Sequence, residues 1–286
     1  MKTSVRTLLL SLFLVIGVGF GSFSYAADAP AEVAPPAGMK LIPEDLVADL
    51  NVSAYSQYIW RGYALSKDSF VIMPTLTIGY KGFAVNVWTD LDTHFKGTSN
   101  KDFRLQETDV TVSYSNSFAP LKLNYSLGWI LYDYQPTSGD VAVQHDTKNQ
   151  EIYLTLGLDL LLKPTLSYYQ EIEKGYACYL QFGVAHSFAV YKDWSLDLGA
   201  TISYMNNKSL GSKGTNFSDL HDGSISAGLK IPINKYLSVK PNIQYSFPLS
   251  SAASREIKAN SLTNRGFTGN GDSNYVYGGL IFDLAI

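Results

Sequence analysis

From Ile152 to Leu162 every second residue is apolar: Ile152, Leu154, Leu156, Leu158, Leu160 and Leu162, with Tyr153, Thr155, Gly157, Asp159 and Leu161 between them. A two-residue period puts successive side chains on opposite faces of a β-strand, one oily and one mostly polar. The pattern recurs along the chain, so the fold is a sheet that must cover one face. In a soluble sandwich the oily face packs on a second sheet. In a transmembrane barrel it faces lipid, and the polar face lines a lumen.

The first residues bear on that choice. Met1-Lys2-Thr3-Ser4-Val5-Arg6 is followed by an apolar run from Leu8 to Phe20, then by Ser24 and Ala26 before a cut at Ala27. A charged start, an apolar middle and a small-residue exit predict a signal peptide over 1–26. Residues 27–45, rich in Pro and Ala and without a period, are expected to form a flexible periplasmic tail. Residues 46–286 then remain for one barrel.

Removal of the leader leaves 20 Lys+Arg against 25 Asp+Glu, a net charge of −5 that argues against a nucleic-acid partner. Cys178 is the single cysteine, so no internal disulfide can staple an exported domain. Charged residues make up 16% of the chain, below the usual quarter, while Tyr occurs 20 times. No segment after the leader has the unbroken apolar run that a membrane helix needs. Few charges, many tyrosines and no apolar helix fit a strand-built membrane protein.

Twelve segments read as strands: 47–61, 69–80, 83–93, 105–115, 120–134, 149–162, 164–173, 175–188, 194–206, 223–233, 236–248 and 274–286. Most have the roughly 9–11 residues that a tilted strand needs to cross a bilayer. Short turns are expected at Lys81-Gly82, Asn116–Ala119, Lys163-Pro164, Ala189–Asp193 and Asn234-Lys235. Longer loops fall at 62–68, 94–104, 135–148, 207–222 and 249–273, with one short exception at Lys174-Gly175. Alternating short and long connections are what an outer-membrane barrel shows, short toward the periplasm and long toward the outside. Pro74 and Pro241 fall on outward positions and are read as marks of bulges.

The alternation assigns faces. Outward positions include Leu50, Val52, Ala54, Tyr58 and Trp60 in the first segment, and Leu121, Leu123, Tyr125, Leu127, Trp129 and Leu131 in the fifth. The inward face carries the candidate pore-lining residues Arg61, Asp90, Asp92, Glu107, Asp109, Lys122, Glu151, Asp159, Glu171, Glu173, Asp197, Lys230 and Lys240. With Asp49 and Asp283 added, eleven inward acids face four inward bases, an imbalance that favours cations. Arg61 is expected in a charged constriction, paired with Asp90, Asp92 or Glu107. Arg255, Lys258 and Arg265 in the last loop are expected to fold against lumen acids.

Metal binding by Asp90, Asp92 and His94 is weighed against ordinary lumen polarity, and the latter is preferred. Asp219, His221 and Asp222 read as a solvated loop. His186 falls near a short turn on the outward phase, and the sequence carries no Gly-x-Ser-x-Gly motif. No enzyme activity, metal or cofactor is expected.

The stretch Val52-Ser53-Ala54-Tyr55-Ser56-Gln57-Tyr58-Ile59-Trp60-Arg61-Gly62 resembles the first strand of a bacterial porin-like family, TorF-like or Gcw-chp. Its Ser-x-Tyr-x-x-Arg-Gly pattern is matched by Ser56, Tyr58, Arg61 and Gly62. Gly79-Tyr80-Lys81-Gly82-Phe83 and Trp88 extend the likeness over roughly residues 50–92. The resemblance implies an outer-membrane β-barrel, a channel without an assigned substrate. The combined expectation is an all-β, closed antiparallel transmembrane barrel of about twelve strands in a Gram-negative outer membrane. Its expected partners are outer-membrane lipid and small polar or cationic solutes, with oligomeric state open. The rival expectations are a non-conducting structural or adhesive barrel that presents its loops, and a membrane-embedded lipid-modifying enzyme.

Overall fold

The computed structural model describes residues 46–66, 69–94, 103–135, 148–173, 177–207, 217–261 and 271–285, and a two-residue strand pair at Val18–Gly19 and Ser22–Phe23. The predicted leader and tail are otherwise outside the described residues, as are Arg265 and His145.

Twelve antiparallel strands close into a barrel. They are β1 (Leu46–Tyr55), β2 (Val71–Tyr80), β3 (Phe83–Asp92), β4 (Arg104–Phe118), β5 (Leu123–Tyr134) and β6 (Lys148–Leu158). The second half comprises β7 (Thr165–Glu171), β8 (Cys178–Tyr191), β9 (Trp194–Asn207), β10 (Phe217–Pro232), β11 (Leu237–Pro248) and β12 (Tyr275–Ala285). Each strand pairs with its neighbour in sequence, and β12 closes the ring on β1 from Gly279↔Tyr55 to Ala285↔Asp49. Closure leaves no sheet edge among these strands, which is what a β-structure in hydrocarbon requires.

The alternation sets the two surfaces. Leu76, Ile78, Val85, Leu127, Ile152, Leu154, Leu198, Ile225, Ile243 and Leu280 are exposed on the outer wall. On the alternate positions of the same strands, Ser126, Thr155, Thr201, Ser224, Ser226, Gln244 and Tyr277 are buried on the inner wall. Packing is therefore inside out relative to a water-soluble protein, with apolar groups outside and hydroxyls, acids and tyrosines inside.

Five turns at one end are short, and four of them place a lysine in the left-handed region: Lys81, Lys122, Lys163 and Lys192, with φ from 40° to 51°. Lys81-Gly82 is a two-residue turn with both φ positive, matching the twist of its flanking strands. Lys235 occupies the fifth turn. Lys81, Lys192 and Lys235 lie over the rings of Tyr80, Tyr191 and Tyr236 at 5.1, 5.2 and 4.5 Å.

Several predicted boundaries move, three of them with a visible cause. The alternation through Leu162 overruns β6, which stops at Leu158. Leu160, Leu161 and Leu162 are exposed in the turn that follows. The first strand ends at Tyr55 rather than 61. The fifth starts at Leu123, because Ala119–Leu121 forms a 3-10 turn with Pro120 near its start. Nor do the two prolines mark bulges. Around Pro74 the β2–β3 ladder lapses between Ile72↔Leu91 and Thr75↔Trp88 without a change of register. Around Pro241 the β10–β11 ladder lapses between Gly228↔Asn242 and Ile231↔Val239, again in register. A missing N–H leaves a gap in the ladder without inserting a residue. The bulges fall elsewhere, at Ala189/Tyr191, Asp90/Leu91 and Ile202/Tyr204.

Candidate functional site

The site is the inside of the barrel at its long-loop end, where two segments fold inward. Residues 56–66 leave β1 and form a small hairpin, Ile59–Trp60 paired with Tyr63–Ala64. Its turn is Arg61-Gly62, with φ of 47° and 81°. Helix α1 (Ser251–Asn260) lies beside it, capped by the Ser250 hydroxyl, which accepts from the Ala253 N–H at 3.0 Å. The Ala64 N–H donates to the Ser261 hydroxyl at 3.0 Å and ties hairpin to helix. Tyr58, Ile59, Tyr63, Ala64, Ala253 and Ile257 are buried together with Trp88, Ile130 and Tyr132 from the wall. Hairpin and helix thus make a plug with an apolar heart inside a polar barrel.

The Ser-x-Tyr-x-x-Arg-Gly pattern now has a physical reading at each position. Ser56 extends the seam: its N–H donates to the Gly278 carbonyl at 2.9 Å, and its hydroxyl accepts from the Gly278 N–H at 3.2 Å. Tyr58 donates from its hydroxyl to Glu107 Oε2 at 3.2 Å. Burial pushes that phenol well above its ordinary range, and the carboxylates of Glu107, Asp109 and Asp90 push it further. Gly62 is required twice: for its left-handed φ, and because a Cβ there would lie 2.9 Å from Asp222 Cβ and 3.0 Å from Ile257 Cδ1.

Arg61 crosses to the opposite wall. Its Nη1 and Nη2 donate to Glu151 Oε1 and Oε2 at 2.8 and 2.7 Å, a bidentate pair with both side chains nearly enclosed. The guanidinium lies 4.7, 4.7 and 4.5 Å from the ring centroids of Trp60, Tyr169 and Tyr179. Burial is the largest single influence and works against its charge, but Glu151, Tyr132 and Tyr179 together outweigh it, so its pKa is held above the ordinary arginine value. Arg61 is thus paired with Glu151 and not with the expected Asp90, Asp92 or Glu107. Alternation alone cannot say which wall a hairpin reaches.

Beside the plug, Asp90, Asp92, Glu107 and Asp109 are all buried on β3 and β4. The bulge at Asp90/Leu91 lies among them, with Gln106 as the extra residue. Asp92 accepts from the Ser69 hydroxyl at 3.0 Å. His94 is exposed beyond β3, its N–H donating to Asp92 Oδ1 at 2.9 Å. Glu171 is buried at the end of β7. Toward the short-turn end, Lys240 pairs with Asp197 at 3.0 Å, and half-buried Lys230 shares that face with Asp49 and Asp283.

Three predicted lumen residues are elsewhere. Lys122 is exposed in the turn before β5, Asp159 is exposed in the turn after β6, and Glu173 is exposed beyond the end of β7. Lys122 was phased from a strand that had not yet begun, Asp159 and Glu173 from strands that had already ended, and the period carries no meaning in a turn. The Asp159 N–H instead donates to the Lys122 carbonyl at 2.8 Å, linking neighbouring turns. Tyr58 and Trp60, expected to face outward, belong to the plug. Arg255 and Lys258 lie on the exposed side of α1, whose Ala253, Glu256 and Ile257 face inward.

One group escaped the sequence reading. His221 and Asp222, expected in a solvated loop, are buried in β10, which begins five residues earlier than the expected loop ends. The bulge at Ile202/Tyr204 sets both against Ser203, so both turn inward. Asp222 Oδ1 accepts from the Ser203 hydroxyl at 2.6 Å and the Tyr179 hydroxyl at 2.9 Å, and lies 3.0 Å from His221 Nδ1. Ser203 thus bonds the acid of this group. The His221 ring packs between Tyr63 and Phe217 at 5.1 and 5.2 Å. His186 is on the outer wall, Nδ1 at 2.7 Å from the Leu161 carbonyl oxygen.

Solved structures of similar outline include the NanC porin, at 10% identity and a TM-score of 0.49, covering 83% of this chain and 98% of that one. LpxR from Salmonella typhimurium is similar at 11% identity and a TM-score of 0.44, covering 83% and 99%. The anion-selective porin from Comamonas acidovorans is similar at 10% identity and a TM-score of 0.32, covering 84% and 98%. No curated protein matches the sequence. A family model for bacterial proteins of unknown function, Gcw_chp, matches residues 45–233, a span that takes in the motif hairpin, the acidic wall and the Arg61–Glu151 pair. This chain belongs to the Gcw_chp family.

Proposed function

We propose that the protein is exported, spans a Gram-negative outer membrane as a β-barrel, and passes small polar or cationic solutes through a narrow lumen. The observation that carries this reading is the inside-out wall: leucines and isoleucines exposed outside, with Asp90, Asp92, Glu107, Asp109, Glu151, Glu171 and Asp197 buried inside. Buried acids set a negative potential, which admits cations and repels anions. A barrel of twelve strands is wider than one filled by side chains alone and narrower than an open porin. Hairpin 56–66 and α1 occupy its long-loop end. No catalytic step is assigned to it.

Purified protein in a planar bilayer, under a salt gradient, tests this. The expected result is small conductance steps with a reversal potential of cation-selective sign. An anion-selective sign, or silence with the plug both intact and loosened, overturns it. Silence in both states would favour the second reading, a structural barrel that presents its loops, which the inward-folded plug also supports.

A further inference from the structure

The pocket that receives Arg61 is built almost wholly from the barrel wall. Glu151 on β6 supplies the carboxylate, and the Tyr132 hydroxyl on β5 donates to its Oε2 at 2.8 Å, fixing its position. Tyr169 on β7 and Tyr179 on β8 supply two ring faces, their centroids 6.2 Å apart. The Tyr179 hydroxyl is anchored on Asp222 at 2.9 Å. Trp60 alone comes from the hairpin. A carboxylate placed for a planar fork, with aromatic faces around it, is the chemistry that recognises a guanidinium group. Glu151 and Tyr179 are each held by a wall partner other than the arginine, and such preorganisation lowers the cost of binding a replacement.

We propose that this wall pocket is a receptor for small guanidinium-bearing cations, and that Arg61 is its tethered occupant, closing the lumen until a solute of the same chemistry takes its place. The tether fits that role. Arg61-Gly62 is the tip of a two-residue turn, so the guanidinium is carried on the most protruding point of a hairpin that leaves β1 only at Tyr55. The link to transport rests on the cation-passage reading above. The binding site itself does not.

The test uses full-length protein in detergent with ethylguanidinium chloride as the probe and sodium chloride at equal ionic strength as the control. Arg61→Gly empties the pocket and leaves a Gly-Gly turn that suits the left-handed φ at that position. Arg61→Asn, giving an Asn-Gly turn, serves if the first variant fails to fold. In either variant, ethylguanidinium should raise the thermal midpoint of the barrel-to-unfolded gel shift above the sodium control, and wild type, where the probe must first displace Arg61, should need a much higher concentration for the same shift. Adding Glu151→Gln should weaken the apparent affinity roughly tenfold or more. Equal responses to both salts in the emptied variants, or an undiminished response with Gln at 151, overturn the proposal. In bilayers the emptied variants should conduct more than wild type, and ethylguanidinium should raise wild-type conductance toward their level; no rise in wild type overturns the gating role of Arg61. If all variants are silent, the passage reading fails, while the gel-shift result still decides the pocket.

Discussion

Arg61 is a positive-φ residue whose side chain makes a buried bidentate ion pair, and this combination ties backbone to wall. Breaking such a pair by removing one charge leaves the other unpaired in a poorly solvated place, at a cost of about 3 kcal/mol. Glu151→Gln should therefore lower the urea midpoint of the barrel in lipid vesicles, followed by tryptophan fluorescence. An unchanged midpoint would mean that the pair does not hold the plug. The pH dependence has a definite sign. The folded pKa of Arg61 is raised, so its contribution is complete below the ordinary arginine pKa and is lost only above it. The difference between wild type and Glu151→Gln should therefore stay constant from about pH 7 to about pH 10. Much at this scale was legible. Asp90, Asp92, Glu107, Asp109, Glu151, Glu171, Asp197 and Lys240 are inward, because strand alternation holds wherever the strand does. Lys122, Asp159 and Glu173 were misplaced because the phase was carried past strand ends. His221 and Asp222 were missed because a bulge puts two consecutive residues on one face, which no two-residue period predicts.

Turns, hairpin and helix carry the next level. Four short turns use lysine where φ is positive, a conformation that disfavours a Cβ. Lys81→Asn, which creates Asn-Gly in a two-residue turn, should stabilise the β2–β3 hairpin by about 0.5 kcal/mol, read as a higher urea midpoint. A lower midpoint would show that the Lys81–Tyr80 contact outweighs the backbone strain. At the other end, Ser250→Ala removes the cap of α1 and should cost about 1 kcal/mol of helix docking. Faster protease cleavage within 249–261, with the barrel itself intact, is the expected reading. Four of the five short turns were visible in the sequence as Gly, Pro or Asn breaks, and the fifth as Lys192-Asp193 between apolar runs. The helix was not, being read as part of a loop, although Ser-Ser-Ala-Ala-Ser-Arg-Glu-Ile-Lys-Ala has a capping serine and an apolar spacing of Ala253 to Ile257. The hairpin was hidden by Tyr58 and Trp60, which continue the outward rhythm of β1 after the chain has left the wall.

For the whole molecule, closure rests on one seam. A Cβ on Gly279 would overlap the Ala54 carbonyl across the β12–β1 pair, so Gly279→Ala should force those strands apart. The expected outcome is loss of the compact, heat-modifiable band in unheated gels, and a normal band would show that the seam tolerates the added methyl. The closed barrel itself was legible, since twelve alternating segments joined by one-sided short turns leave few other ways to cover an oily face. What fills it was not, because the plug lies in connections whose inward course depends on partners far along the chain. That arrangement has a consequence for how the protein is made. Hairpin 56–66 directly follows β1, and α1 sits in the connection leading into β12, so the two halves of the stopper flank the two strands that meet last in sequence order. The Ala64–Ser261 bond brings them together in the completed ring. Stopper and wall are thereby finished in the same event, and a newly assembled copy need never stand in its bilayer as an open leak.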